Sequence, residues 1–210
     1  MPSQSEPSTG DRWDSRYSGN EFFFGTEPNG FLASVVDRLP KGRALCIADG
    51  EGRNSVFLAA KGWECVSMDA SRAGNAKAAR LAARQGVELT TLQADLRDYD
   101  MGHERWDLIV SVFCHLPPSL REDVHARAVA ALKPNGAFVL EAYTPEQLEY
   151  GTGGPPNAEL MMTRSMLERD LQGLEFAYMD ETVRDVVEGR GHNGRASVVQ
   201  VLALKGPATD

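Results

Sequence analysis

ALCIADGEGRNSVFLAAKGWECVSMDAS, residues 44–71, is the stretch whose reading decides the architecture of this 210-residue chain. An apolar run, 44–48, breaks into a turn that holds Gly50 and Gly52. A helical run, 54–60, follows and stops at Gly62. A second apolar run, 65–68, then ends on Asp69. Strand, glycine turn, helix, strand and acid, in that order, make the nucleotide-binding half of a doubly wound sheet. The small residues let backbone approach a ligand closely, and the start of the helix offers free N–H groups to a carboxylate or phosphate. An acid at the tip of the second strand is placed to accept both hydroxyls of a ribose.

Upstream, residues 1–10 are rich in Ser and Pro and are expected to form a disordered tail. Residues 11–27 read as an aromatic arm. A short helix puts Trp13, Arg16 and Tyr17 on one side by i, i+3, i+4 spacing, and Phe22, Phe23, Phe24 and Gly25 follow. The rings either pack the arm onto the sheet or form a lid over a site, and one arm can do both. Pro28 then opens an amphipathic helix carrying Phe31, Leu32, Val35, Val36 and Leu39.

Downstream, Ser71 caps a helix over 72–85 that Gly86 ends. A third strand, 89–92, leads into Gln93, Ala94, Asp95 and Leu96, and WDLIVSVF at 106–113 reads as a central strand buried on both faces. A helix over 119–132 and a strand over 137–143 follow. Residues 144–160 form a glycine- and proline-rich loop of the length that is usually functional or disordered. After a short helix from Thr163, strands near 174–183 and 195–204 are joined by a turn-rich link, 187–194, that permits only an antiparallel pair. The expectation is α/β: a Rossmann-like seven-stranded sheet with its last strand antiparallel, helices on both faces, and one domain over 11–205 with a tail at 206–210.

Composition narrows the function. Hydrophobic residues make up 42% of the chain, enough to bury a sizeable core. The formal charge of −8, without a basic run, disfavours a nucleic-acid partner. Three cysteines without C-x-x-C spacing, no leader pattern and no run of membrane-spanning length predict a reducing, cytoplasmic setting with no membrane partner. Four scattered histidines without an i, i+4 pair predict no metal site. Monomer and homodimer stay open.

Spacing selects among ligands. A dinucleotide fingerprint needs a third glycine, where this chain has Ser55. The frame (D/E)-x-G-x-G-x-G, common for S-adenosylmethionine, fits better, with Gly50 and Gly52 as its last glycines, although Cys46 stands for its acid and Ala48 for its first glycine. On these motifs the chain resembles the class I S-adenosylmethionine-dependent methyltransferases. It is similar to small bacterial enzymes of the tellurite-resistance type, which share the G-x-G-R-N turn at Gly50, Gly52, Arg53 and Asn54. Trp13, Arg16 and Tyr17 are similar to an arm segment of thiopurine-type enzymes. The resemblance implies that Asp49, Gly50, Glu51 and Gly52 wrap the methionine moiety, that Asp69 holds the ribose and that Ala70 lies on the adenine. It further implies that Asp95 and Leu96 read the adenine edge and that Ala48, Asn54 and Phe113 also bind the cofactor. The (N/D)-P-P-(Y/F/W) motif of nucleic-acid amino methylation is absent after the fourth strand, which reads Ser111, Val112, Phe113, Cys114 and His115. The resemblance therefore implies a small-molecule acceptor.

Three residues are candidates for the chemistry. His115 follows a central strand, either facing substrate or serving as a hydrogen-bonded structural group. His192 lies in the glycine-rich link, facing substrate or capping a solvated hairpin. Arg195 pairs an anionic substrate or solvates an edge strand. Three functions fit: methyl transfer to a soft chalcogen or thiol, O- or N-methylation of a small metabolite, and cofactor binding without transfer.

Overall fold

A computed structural model describes residues 8–208. Its seven strands are β1 (Arg43–Ile47), β2 (Glu64–Asp69), β3 (Thr90–Gln93), β4 (Trp106–Val112), β5 (Leu132–Tyr143), β6 (Leu174–Glu188) and β7 (His192–Lys205). They form one sheet in the order β3-β2-β1-β4-β5-β7-β6. The first five run parallel, and β7 is inserted antiparallel between β5 and β6. The order in which strands are added reverses between β1 and β4, so a crevice opens beyond the carboxyl ends of the strands.

Alternation along β1 shows how the layers form. Leu45 and Ile47 join a core shared with β4, β5 and β7, closed by α5 (Pro118–Ala131) and α6 (Arg164–Asp170). Ala44 and Cys46 face the other way, into a core with Phe31, Leu32 and Val35 of α2 (Gly30–Val35) and Leu58 of α3 (Arg53–Ala60). A strand buried on both faces needs apolar residues in both sets, which is why this one reads as a continuous apolar run. Helix α4 (Arg72–Gln85) packs beside α3 through Val56, Leu81 and Ala82. Cys46, Cys65 and Cys114 are free and buried.

Two expectations about boundaries change. Order reaches back to Ser8, because Ser8 and Asp11 form a reciprocal capping box that starts α1 (Thr9–Tyr17), so residues 8–10 belong to the arm. The rest of the expected N-terminal tail, 1–7, lies outside the described residues, as do 209–210 of the expected C-terminal tail. The final hairpin is also longer than its glycines imply. Its ladder continues to the pair Glu188↔His192, leaving only 189–191 as the turn. Among the described residues no helix is long and apolar enough to cross a membrane.

Candidate active site

The carboxyl ends of β1, β2, β3 and β4 floor a cavity of about 890 Å³, within the range of small-molecule sites. The turn after β1 sets its shape. Ala48 stands at φ 49°, Gly50 at 60° and Gly52 at 86°, so the left-handed region is used three times within five residues. Alanine at such a position costs little only where φ is negative. At a positive φ it is strained by about 1–2 kcal/mol, and Phe113, at φ 52° after β4, carries similar strain on the same cavity. Ala48→Gly is therefore expected to raise stability by about 1 kcal/mol, read as a higher midpoint in a denaturant titration.

Asp49 is buried. Its Oδ2 accepts from Ser55 Oγ (2.5 Å) and Ser67 Oγ (2.7 Å), while Oδ1 has no partner. Burial pushes its carboxyl up to about 6 against the help of the two serines. Asp69, at the end of β2, ties the turn down: Gly50 N donates to Oδ2 (2.9 Å) and Ser71 N to Oδ1 (2.7 Å). Burial also raises the Asp69 carboxyl. Asp95 lines the cavity after β3 and is held by the Arg97 guanidinium at 2.7–3.0 Å, which lowers its carboxyl. A carboxylate has about four acceptor positions, so Asp69 and Asp95 each retain free lone pairs. Cys46, which replaces the acid expected to open the turn, packs in the apolar core.

At the other end the walls are aromatic. His192 is buried, with its ring 4.5 Å from that of Phe24 and 4.3 Å from that of Phe113, and its Nδ1 has no partner. Burial, then the nearby Arg53 guanidinium, push it down to about 3. The reading as a solvated hairpin tip fails because the longer ladder carries His192 under the turn and against the arm. His115 Nδ1–H donates to Leu160 O (2.9 Å), and burial lowers it to about 4. Both imidazoles are neutral near pH 7. Thiol chemistry is not prepared: burial pushes Cys114, on the cavity wall, up to about 12.

The roof has three parts: the arm, the 152–156 loop and the turn of the last hairpin. They meet where there is no room for a Cβ. One on Gly191 would lie 2.3 Å from Phe24 Cε1, and one on Gly153 would lie 2.7 Å from Gly191 O.

Most of the expected site residues line this cavity: Ala48, Asp49, Gly50, Glu51, Asn54, Asp69, Ala70, Asp95, Leu96, Phe113, His115 and His192. Two do not. Gly52 is pressed against Ala78 of α4 as the residue before α3, and Arg195 is exposed on β7, where its carbonyl accepts from Thr152 Oγ1 at 2.6 Å. The guanidinium that does reach the His192 end is Arg53, which is paired with Glu188 at 2.5 Å. It follows Gly52 in the turn, and its membership of the G-x-G-R-N motif was the available signal. Among the described residues no three His, Cys, Asp or Glu gather as a metal site.

Comparison with known proteins bears on this geometry. Residues 44–136 match the family model described as a methyltransferase domain. Over that segment the chain is similar to a methyltransferase domain. A curated relative, the glycine/sarcosine N-methyltransferase of Halorhodospira halochloris, is 32% identical over 134 residues, 61% of this chain. The chain spans about half, 47%, of that relative's length. The fold of this chain is shared with TehB from Haemophilus influenzae (TM-score 0.69, 17% identity, 93% of this chain and 66% of that one). It is shared also with magnesium protoporphyrin IX methyltransferase from Synechocystis, solved with bound SAH (TM-score 0.66, 16% identity, 95% of each chain). The likeness of fold thus runs beyond the matched segment and takes in the inserted β7.

Proposed function

We propose that this domain transfers a methyl group from S-adenosylmethionine to a small-molecule acceptor held under the aromatic roof. The observation that carries the proposal is the set of three carboxylates, Asp49, Asp69 and Asp95, that follow adjacent strands and line one cavity with the glycine turn. The residues suit the cofactor. The unpartnered Asp49 Oδ1 needs a cation, which the α-ammonium of the methionine part offers. Asp69 has acceptors left for ribose hydroxyls and Asp95 for an adenine amino group. The SAH bound by the Synechocystis neighbour, on a shared fold, agrees with this reading.

When bound, the cofactor supplies a methyl group already made electrophilic by its sulfonium. The protein's work is then to align and to exclude water. Alignment can contribute about 7–11 kcal/mol, more than the roughly 10²–10⁴-fold that a general base adds. Phe113, Phe24 and His192 wall off the acceptor end, and the glycine junction above them seals it. An acceptor held there by Phe113, Phe24 and His192 would be aligned with the methyl group that the cofactor would supply. Imidazoles held down to about 3 and 4 by burial are poor proton acceptors. An acceptor that arrives with its lone pair free suits such a site, and this favours a soft nucleophile such as a thiolate or chalcogen anion. O- or N-methylation of a small metabolite is the second reading, to which the glycine/sarcosine relative lends support over part of its length.

Calorimetry with S-adenosylhomocysteine and with NAD tests the cofactor, and heat with NAD alone would overturn the proposal. Methyl transfer to thiols, selenite, tellurite and sarcosine then separates the acceptor classes and tells an enzyme from a binder. On a thiol acceptor, His115→Ala and His192→Ala are expected to lower kcat/KM by less than about tenfold, with a pH profile that follows the thiol. A loss of about 10²-fold or more together with a vanished acid limb would make either histidine the base.

A further inference from the structure

Glu51 and Lys77 form an ion pair at 2.7 Å with both side chains only 2% exposed. A pair so deeply buried is a poor way to gain stability, since the desolvation of both charges offsets most of their attraction. Its remaining hydrogen bonds show what it holds. Glu51 Oε2 accepts from Phe23 N (2.7 Å) and Phe24 N (3.2 Å), and Lys77 Nζ donates to Glu21 O (2.7 Å). Each of these bonds ends on the arm, within 21–24. The arm continues the linkage to the hairpin turn: Phe23 O accepts from Arg190 N (2.8 Å), and Glu21 is paired with the Arg190 side chain.

Glu51 sits between Gly50 and Gly52, so the turn that lines the cavity and the amides of its roof share one carboxylate. Tyr17 of the arm presses on the same turn: a Cβ on Gly50 would lie 2.6 Å from Tyr17 Oη. We propose that Glu51 is a positioning residue, held by Lys77, that clamps the aromatic arm across the cavity and makes arm closure and occupancy of the glycine turn interdependent. The interdependence rests on the cofactor reading above; the clamp itself does not. Ligand that orders the turn fixes Glu51 and with it the arm, and an arm held shut pre-orders the turn for ligand.

Hydrogen exchange of the full chain tests the clamp, first without ligand. In Glu51→Gln, whose amide sets a donor against the Lys77 ammonium, amides 21–25 are expected to exchange at least about tenfold faster than in the parent, with β4 and β5 unchanged. Lys77→Met, which leaves Glu51 its two backbone donors, is expected to give a smaller acceleration at the same amides. Calorimetry with S-adenosylhomocysteine as the probe is expected to show affinity about tenfold weaker in Glu51→Gln. Unchanged exchange in the arm, or acceleration spread evenly over the chain, overturns the clamp. Should Glu51→Gln fail to fold, Lys77→Met decides by the same criterion. Equal probe affinity in parent and variant, with a faster arm, removes the interdependence and leaves the clamp. If the parent itself binds no S-adenosylhomocysteine, the cofactor reading and the interdependence fall together, and the ligand-free exchange still judges the clamp.

Discussion

At about pH 7.5 the Asp49→Asn variant is expected to melt higher than the parent and yet to bind S-adenosylhomocysteine at least about tenfold more weakly. Both effects have one cause. The Asp49 carboxyl titrates near 3.8 when unfolded and is raised to about 6 in the folded chain, chiefly by burial. A raised carboxyl means that the folded state prefers the protonated form. The stability this preference gives is complete below the unfolded value and is lost as pH rises through about 6. The gap of about two units corresponds to about 3 kcal/mol carried as a deficit at neutral pH. Asparagine carries no such deficit, though it hydrogen-bonds Ser55 and Ser67 less well. The net gain is expected to be about 1–2 kcal/mol, or a few degrees in Tm. Below about pH 4 the gain should vanish, and a series of melting curves against pH checks it. On the proposed reading, the weaker binding follows from losing the anion set against the cofactor's ammonium. In the parent, affinity should fall as pH drops below about 6, and in the variant it should be flat.

Gly52→Ala is expected to cost about 2–5 kcal/mol and to lower Tm by about 5–20 °C. The new Cβ would stand 2.5 Å from Ala78 Cβ and 2.7 Å from Ala78 Cα, a contact that only a separation of α3 from α4 relieves. The backbone conformation, φ 86°, adds about 1–2 kcal/mol. Gly86→Ala separates the two contributions. Gly86 also has a positive φ, 67°, but nothing lies within 4 Å of where its Cβ would be. Only the conformational part should appear there, about 1 kcal/mol. A Gly52→Ala chain no less stable than Gly86→Ala would show that the close approach of the two helices is not required. Thermal melts of the two variants side by side decide it.

The way the site was legible from residues follows from chain geometry. Asp69, Asp95 and Phe113 each end or directly follow a parallel strand, and in a doubly wound sheet those positions meet at one edge whatever the side chains around them. Asp49 and Gly50 belong to the turn between the first strand and its helix, so their place needed only the order of elements. Which of its two expected places His192 takes depended on hairpin length, and that depends on which residues the neighbouring strand offers: pairing runs on to Glu188, through a stretch whose glycines point to an earlier turn. Arg195 lies on the strand where it was expected, and its side chain is exposed there, away from the cavity.

Residue order by itself determined the α/β sheet, the glycine turn, the acids at the strand tips and the absence of a third turn glycine, because each depends on neighbours within a few positions. The folded chain alone decided what depends on distant partners in a buried, low-dielectric setting. Glu51 meets Lys77 across 26 positions, Asp49 is left with a spare oxygen, the histidines are kept neutral by burial, and Ala48 is driven to a positive φ. These are properties of packing, and no local pattern of residues encodes them.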